Sequence, residues 1–444
     1  MLKKIILLTL IVVLIFALGA CAEEDVSPPD DLALAEGDEV ERLEGDGDVT
    51  LRVIWRAEGH DARQALHQSI QPFIDRTGIG IDMVYVVGDD WPEYLTKIAT
   101  MVAAGERIDN ARLPIEGWRM FVDLGIVVPI DDWITDNPVA FNEIANDMYP
   151  QIMALTNFNG RQFGIPQQMG TVVTHINTYL LEEAGLPLPP PDWDRYTFLE
   201  YAGAMTRTRD DGTQQFGVFL PDGYFMLSAW VYNFGGSWTT QDYGYSNLLD
   251  PAVADMFQFM QDLVHVHGYA PVPEAGLDGI HMLVDGTIGM GFWGRWPSYT
   301  YGVRNFHGAY VQYLPQFQRG TNHSVFGGMS MFTLRTSQNP QEAASFAVYT
   351  ASAEFVEPFM GLGSIPLLNS VAERLIPALG IPQNYELYLA KPRNAVPVES
   401  PAQFSELGSL VWRVFTDIVV NQHDVESTLQ EAHVELNLIL LDNR

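Results

Sequence analysis

Cysteine and lysine are both scarce in this sequence. Cys21 is the only cysteine among 444 residues, so the chain can form no internal disulfide and no cysteine-ligated metal cluster. Lysine occurs at only four positions, and the formal net charge is −32 at pH 7. Because nucleic acids and anionic lipids are polyanions, so acidic a surface disfavours both as partners. The acidity is typical of a protein kept in solution in an extracytoplasmic or salty setting.

Sequence signatures of common enzymes are missing as well. The chain has no Gly-Lys-Ser/Thr phosphate loop, no His-Glu-x-x-His and no Gly-x-Ser-x-Gly. The run Gly289–Gly294 has the glycine spacing of a dinucleotide-binding loop, but we predict no helix after it that would donate amides to a phosphate. We therefore predict no catalytic residue, no metal site and no cofactor, and we expect a protein that is not an enzyme.

Residues 1–20 have the composition of a secretory signal peptide. Lys3 and Lys4 precede an uncharged run from Ile5 to Leu18, which is shorter than the roughly 20 residues of a membrane-spanning helix. Small residues stand directly before Cys21, and this resembles the lipobox of bacterial lipoproteins, in which the cysteine is lipidated. We expect lipidation at Cys21 and an extracytoplasmic protein anchored to the bacterial cell membrane. The alternative is an ordinary signal peptide with a chance cysteine.

The segment that follows the lipobox is strongly acidic. Residues 22–48 carry twelve Asp and Glu against one base, Arg42, and they include Pro28-Pro29. Because like charges repel and little apolar surface is available for burial, we predict that residues 21–48 form a lipidated, disordered linker.

From residue 49 onward the pattern is that of an α/β protein. Strands are predicted at Leu51–Trp55 and Ile81–Val87, and helices at Asp61–Thr77 and after Asp90. This alternation is typical of a largely parallel sheet flanked by helices. Further helices are predicted at Asp250-Pro251, after a capping box at residues 339–342, and as a pair joined near residue 421.

Aromatic residues concentrate in two stretches bracketed by glycine, around Trp230 and around Trp296. We assign about half of these rings to the core. The others suit a carbohydrate site, because the flat CH faces of sugars stack on aromatic rings and their hydroxyls pair with polar groups.

The run Asn159–Pro166, followed by Ile176-Asn177 and then Leu180–Leu186, is similar to a characteristic stretch of the family-1 extracellular solute-binding proteins of ABC importers, the maltose-binding-protein-like group. Further runs resemble the family in the same order: Pro189–Trp193, Asp285–Met290, Gly294–Trp296, Gly327–Met329, Ser337–Ala344 and Gly361–Pro366. The chain departs from the family pattern at Ile108–Asn110 and at Leu367, which puts the ligand in question more than the fold.

The resemblance implies an α/β clamshell of two lobes, each a central sheet flanked by helices, joined by three hinge crossings. The expected first lobe comprises residues 49–166 and 314–350, and the expected second lobe comprises residues 167–313 and 351–444. The crossings are expected near residues 166–170, 311–315 and 349–353. A ligand that touches both lobes only when they are closed stabilises the closed form.

The resemblance further implies that a small polar solute, with a mono- or oligosaccharide as the expected ligand, binds between the lobes of a monomer that delivers it to an ABC permease. The expected ligand-binding residues are Trp55, Glu58, Glu116, Gln168, Tyr224, Trp230, Arg295, Trp296, Met329 and Trp412.

Other functions stay open at this point. A cell-surface carbohydrate-acting enzyme would need two carboxylates across a cleft, for which Glu58 and Glu116 are candidates. A sensing or scaffolding lipoprotein would pass nothing to a transporter. Within the binding class, a polyamine or a peptide is an alternative ligand, and a polyamine would suit the acidity.

Overall fold

The computed structural model describes residues 38–57, 60–88, 91–148, 150–221, 223–274, 276–321, 323–360, 363–389 and 395–441. Its strands are β1 (Glu39–Leu43), β2 (Thr50–Arg56), β3 (Gly80–Val86), β4 (Asn110–Pro114), β5 (Val127–Val128), β6 (Asn157–Phe158), β7 (Arg161–Gln162), β8 (Gly164–Thr171), β9 (Val173–Asn177), β10 (Arg207–Thr208), β11 (Gln214–Val218), β12 (Ile288–Trp293), β13 (Ala309–Gln312), β14 (Ser324–Leu334), β15 (Ile365–Pro366) and β16 (Ala395–Pro397).

Helices flank these strands. They are α1 (His60–Thr77), α2 (Trp91–Ala103), α3 (Trp118–Asp123), α4 (Asp131–Asp136), α5 (Pro138–Ala145), α6 (Pro150–Met153), α7 (Thr178–Glu183), α8 (Arg195–Ala204), α9 (Tyr224–Asn233), α10 (Pro251–His265), α11 (Gly279–Val284), α12 (Pro297–Val303), α13 (Pro340–Tyr349), α14 (Ala353–Met360), α15 (Asn369–Leu379), α16 (Glu386–Leu389), α17 (Phe404–Phe415) and α18 (Val425–Leu441). No helix in the described ranges is long and apolar enough to cross a membrane.

Two separate sheets define two lobes, and the predicted α/β clamshell is confirmed. The first sheet has the spatial order β1-β3-β2-β4-β14-β8-β15, and the second has the order β10-β11-β12-β9-β13. Both are mixed: β2 runs parallel to β3 and β4, whereas β14 runs antiparallel to β4 and β8.

The first sheet is buried on both faces, which explains its continuous apolar strands. Side chains alternate along β2, so that Ile54 packs with α2 on one face while Val53 and Trp55 pack with α1 and α14 on the other. The second sheet is covered mainly by α8, α9, α10, α17 and α18, whose apolar residues form one large core with β9 and β12.

The chain passes from one sheet to the other at three places. The first is between β8 and β9, at residues 171–173, and the second lies between β13 and β14. The third is spread over residues 365–404: after β15 the chain bridges to the second sheet at Gln383, pairs with β14 as β16, and then enters α17.

Two of the three predicted lobe boundaries fall earlier in the chain than these changes of sheet, whereas the predicted boundary at residues 313/314 lies between β13 and β14. Residues 167–171 continue β8 in the first sheet, beyond the predicted boundary at residue 166. Likewise α14 was expected in the second lobe, but it packs against α1 in the first, because Phe355 and Val356 are buried in that core.

The predicted linker is shorter than expected at its C-terminal end. Residues 1–37, with the predicted signal peptide and Cys21, lie outside the described residues, but residues 39–43 form the edge strand β1. Their charges are neutralised in place, since Arg42 pairs with Asp82 at 2.7 Å and Arg63 pairs with Glu39. The ladder hydrogen bonds to β3 and these ion pairs offset the self-repulsion on which the prediction of disorder rested.

Two local predictions were wrong. Asn339 precedes α13, but its side chain makes no capping hydrogen bond among the described residues. The Asn339 backbone amide, which would donate to Glu342 in a capping box, donates to Ser337 Oγ at 3.1 Å instead. The run Gly289–Gly294 lies mostly within β12, and helix α12 does follow it, contrary to expectation. A side chain at Gly291 would overlap the ring of Trp293, so this glycine serves packing within a paired strand and forms no phosphate loop.

Candidate ligand-binding site between the lobes

The carboxyl ends of the parallel strands β2, β3 and β4 lie at one edge of the first sheet, where ligands of open α/β sheets usually bind. Glu116 occupies the loop after β4, as predicted from the sequence. The backbone fixes this loop, because the Ile115 amide donates to the Gly328 carbonyl (2.8 Å) and the Gly117 amide donates to the Pro114 carbonyl (3.1 Å). The loop is therefore tied to both β4 and β14.

Glu116 is buried against a ring from the other lobe. It is only 4% exposed, and its Oε2 atom has no hydrogen-bond partner among the described residues. A Cβ added at Gly327 would lie 3.2 Å from that oxygen and 2.7 Å from the ring of Phe225, at the start of α9. Burial raises the pKa of Glu116 to about 7. The Glu116 carboxyl group, the Phe225 ring and the backbone at Gly327 thus meet where the lobes touch.

A β-bulge between β8 and β14 brings in further polar groups. The register between β8 and β14 shifts at Met329/Ser330, which leaves Gln167 as the extra residue of β8. Gln167 is fully buried; its Oε1 accepts from Arg112 Nε at 3.0 Å, while its Nε2 has no partner in the described part of the chain. The Arg112 guanidinium in turn lies 4.4 Å from the ring centre of Trp55, whose indole N–H also has no partner. Such buried orphan atoms are rare in folded proteins unless water or a ligand satisfies them.

The second lobe contributes the turn between β12 and α12. Arg295 is 1% exposed and donates through Nη1 to the Ser364 carbonyl, and the Ser364 hydroxyl donates to Gln168 Oε1 at 2.8 Å. Trp296 follows, with 38% of its surface exposed. Gln168 lies on β8, so this chain of contacts links the first lobe to the second at the hinge.

His175 holds that turn in place through hydrogen bonds. Its Nε2 lies 2.7 Å from the Gly294 carbonyl and its Nδ1 lies 2.9 Å from the Tyr301 hydroxyl. Burial lowers the pKa of His175 to about 4, so the ring is neutral at physiological pH. Because a carbonyl can only accept, Nε2 donates to Gly294 and Nδ1 accepts from Tyr301.

A buried carboxylate organises the third crossing. Glu399 Oε1 accepts from the Trp238 amide (3.0 Å) and Oε2 accepts from the Thr239 amide (2.8 Å), while Tyr224 donates to its backbone carbonyl (3.1 Å). Burial raises the pKa of Glu399. Unlike Glu116, this carboxylate is satisfied by its neighbours, which indicates a structural role.

The structure brings together some of the residues predicted from the sequence and separates others. Four of them lie at the junction of the lobes: Glu116, Gln168, Arg295 and Trp296. Trp55 lies beneath the junction, and Met329 on β14 is paired with Gln168 on β8. Tyr224 packs against Phe404 near the third crossing. Glu58 and Cys21 lie outside the described residues.

Two predicted tryptophans are placed elsewhere. Trp230 has no exposed surface, and its ring is surrounded by rings of its own lobe, with Phe317 at 4.6 Å and Phe292 at 4.8 Å. Trp412 is 40% exposed on α17, stacked on Phe415 at 5.0 Å beside a small apolar pocket. We leave both out of the junction.

Four residues at or near the junction were not among the expected ligand-binding residues: Phe225, Arg112, Gln167 and Ser364. Arg112 could have been noticed in the sequence, because an arginine between the apolar residues of a buried strand is unusual. The signal for Phe225 was indirect: Gly170 and Gly327 leave room for a ring, but nothing in the sequence states which ring fills it.

Comparison with known proteins agrees with this architecture. Residues 68–383, more than half of the chain, match the family of bacterial extracellular solute-binding proteins, and the chain belongs to this family. A putative binding protein of Brucella abortus (strain 2308) is 24% identical over 273 residues, which cover 57% of this chain and 60% of the relative. A maltotriose-binding protein of Pyrococcus abyssi is 21% identical over 307 residues, covering 65% of this chain and 61% of the relative. The chain thus spans about three fifths of the length of these relatives.

Solved structures show the same fold. The ABC substrate-binding protein of Listeria monocytogenes in complex with cycloalternan superposes with a TM-score of 0.77 at 17% identity, covering 88% of this chain and 98% of that one. The proteins to which the chain is related are binding proteins, and the predicted family is confirmed.

Proposed function

We propose that this chain is the extracytoplasmic substrate-binding lipoprotein of an ABC import system, which binds a mono- or oligosaccharide between its lobes and delivers it to the permease. One observation carries the proposal: the buried Oε2 atom of Glu116 has no hydrogen-bond partner among the described residues and lies at the junction next to Phe225 of the second lobe. Gln167 Nε2, buried in the first lobe, likewise has no partner among these residues. Sugar hydroxyls donate to carboxylates and accept from amides, and sugar CH faces pack on rings.

The relatives support a carbohydrate. A maltotriose-binding protein and a protein in complex with cycloalternan are both similar to this chain over most of its length. A micromolar complex needs about −8 kcal/mol. Two ring contacts at about 1 kcal/mol each, with several hydrogen bonds of about 1 kcal/mol or more, supply this without an ion pair.

Binding without catalysis is part of the proposal. A glycosidase needs a second carboxylate roughly 5–10 Å from the first. Glu58, the carboxylate considered as a partner for Glu116, lies outside the described residues. The chain belongs to a family of solute-binding proteins, which supports a binding role over the alternative of a carbohydrate-acting enzyme.

A thermal-shift and calorimetry screen against mono- and oligosaccharides tests the function. A specific sugar at a hundred times its Kd should raise the free energy of unfolding by about 2.7 kcal/mol. Sugar that is cleaved during incubation would point to an enzyme. Failure of every sugar to bind, with a polyamine or peptide binding instead, would reject a carbohydrate ligand.

Membrane attachment through Cys21 and a monomeric state complete the proposal. Cys21→Ser should release the exported protein from the membrane fraction while leaving sugar affinity unchanged, because residue 21 lies far outside the folded lobes in sequence. A variant that stays in the membrane fraction would contradict the lipid anchor. Size-exclusion chromatography with light scattering tests the monomer.

A further inference from the structure

Arg295 presents an unused hydrogen-bonding edge. Its Nη1 atom donates to the Ser364 carbonyl, whereas Nε and Nη2 have no hydrogen-bond partner among the residues that the structure describes. These two N–H groups form one side of the guanidinium fork, and their spacing matches the two oxygens of a carboxylate. The side chain is 1% exposed, so bulk water does not satisfy this edge.

The charge of Arg295 also lacks a counterion in the part of the chain that the structure describes. No carboxylate oxygen of a described residue lies within 4.0 Å of its guanidinium. The one neighbour that favours its charged form is Tyr388, while burial lowers the pKa of Arg295 to about 10, which leaves it a cation at neutral pH. A buried charge without a partner is strongly unfavourable, and an anion that supplies the partner binds with corresponding gain.

Arg295 lies at the junction between the lobes. The Ser364 hydroxyl, next to the carbonyl that Arg295 contacts, donates to Gln168 on β8 of the first lobe. Trp296, the next residue in the chain, is the partly exposed ring of the junction. Ser298 follows three residues after Arg295, and its buried hydroxyl also has no partner. The Ser298 amide donates to the Arg295 carbonyl at 2.9 Å, so both side chains leave the same turn.

We propose that Arg295 recognises a carboxylate on the solute, so that the ligand is an acidic saccharide that contains a hexuronate. This inference rests on the proposed function and deepens it. The carboxylate accepts bidentately from Nε and Nη2, and Ser298 in the same turn offers a hydroxyl for a further hydrogen bond. A neutral sugar offers acceptors to this edge but leaves the buried positive charge uncompensated.

Matched pairs of sugars test the inference. Calorimetry compares glucuronate with glucose, and di- and trigalacturonate with the corresponding galactose oligomers, on the mature protein. We expect at least one uronate to bind tenfold or more tightly than its neutral counterpart. Sodium acetate at equal concentration should produce no comparable stabilisation, since the sugar ring supplies the remaining contacts; acetate as effective as the uronate would indicate a site for free anions and reject the inference.

Two variants assign the preference to the residue. Arg295→Gln should abolish the uronate preference, and its free form should melt no lower than wild type, because an uncompensated buried charge is removed. If the glutamine variant does not fold, Arg295→Lys serves in its place. It keeps the positive charge but lacks the guanidinium fork, so it should also reduce the uronate preference. The matched control is Arg304→Gln, in the same lobe, where an exposed arginine pairs with Asp285 at 2.7 Å; its preference should stay unchanged.

The outcomes separate the two proposals. Neutral sugars that bind as tightly as uronates, or an Arg295→Gln protein that keeps the uronate preference, would reject the acidic ligand and leave a sugar-binding function intact. Failure of both neutral and acidic sugars to bind would reject the sugar-binding function and this inference together.

Discussion

Replacing Glu116 by glutamine should change the pH dependence of stability in a defined direction. In the folded chain, burial raises the pKa of Glu116 from 4.5 to about 7. At 1.36 kcal/mol per pKa unit, this corresponds to roughly 3 kcal/mol. Between pH 4.5 and 7 the folded protein binds more protons at this site than the unfolded protein, so its contribution to stability falls as the pH rises and levels off above pH 7.

Glutamine has nearly the same shape and no charge to bury. Urea denaturation of the free proteins should therefore give similar stabilities near pH 4, and the Glu116→Gln variant should be more stable by up to about 3 kcal/mol at pH 8. Glu426, which is exposed on α18, provides the control, because Glu426→Gln should show no such divergence. A stability difference for Glu116→Gln that is constant with pH, or a wild type that is the more stable protein at pH 8, would refute the reasoning.

Three further predictions concern the junction and its support. Gly327→Ala places a Cβ 2.7 Å from the Phe225 ring and should weaken sugar binding at least tenfold, whereas Gly302→Ala, in open space, should not; equal affinities by calorimetry would contradict this. Trp296→Ala should weaken binding at least tenfold with little change in the melting temperature of the free protein, since the ring is partly exposed; unaltered affinity would remove it from the site. His175→Gln should lessen acid destabilisation, because the lowered pKa of His175 costs stability as pH falls from 6.5 toward 4, by up to roughly 3 kcal/mol; denaturation curves with the same acid slope as wild type would argue against it.

Much of the first lobe could be predicted from the sequence, because its strands and helices carry their own signals. Apolar runs bounded by glycine and caps located β2, α1, β3 and α2 to within a residue or two. The edge strand β1 could not be found in this way. Three of its five residues are charged, and the strand is stabilised by partners distant in sequence, namely the ladder with β3 and the ion pairs with Asp82 and Arg63.

The site was predictable only in part, for a geometric reason. Glu116 and Trp296 follow β4 and β12, and both were expected at the site from the resemblance to the family, since no strand before Trp296 was predicted from the sequence. Trp230 looked equivalent by composition, but α9 turns it into the core of its lobe. Phe225, seven residues after β11 in the same region, reaches the junction instead, and this difference depends on the direction of α9 rather than on residue type.

The central claim is that a saccharide bound at the junction holds the two lobes together. Spin labels on exposed positions of α1 and α10, at Asp75→Cys and Gln258→Cys in a protein that lacks Cys21, report the distance between the lobes by pulsed electron paramagnetic resonance. We predict that a bound saccharide shortens and narrows the distribution of distances between the two labels, and that Gly327→Ala prevents this change. A distribution that stays the same while calorimetry shows the sugar bound would contradict it.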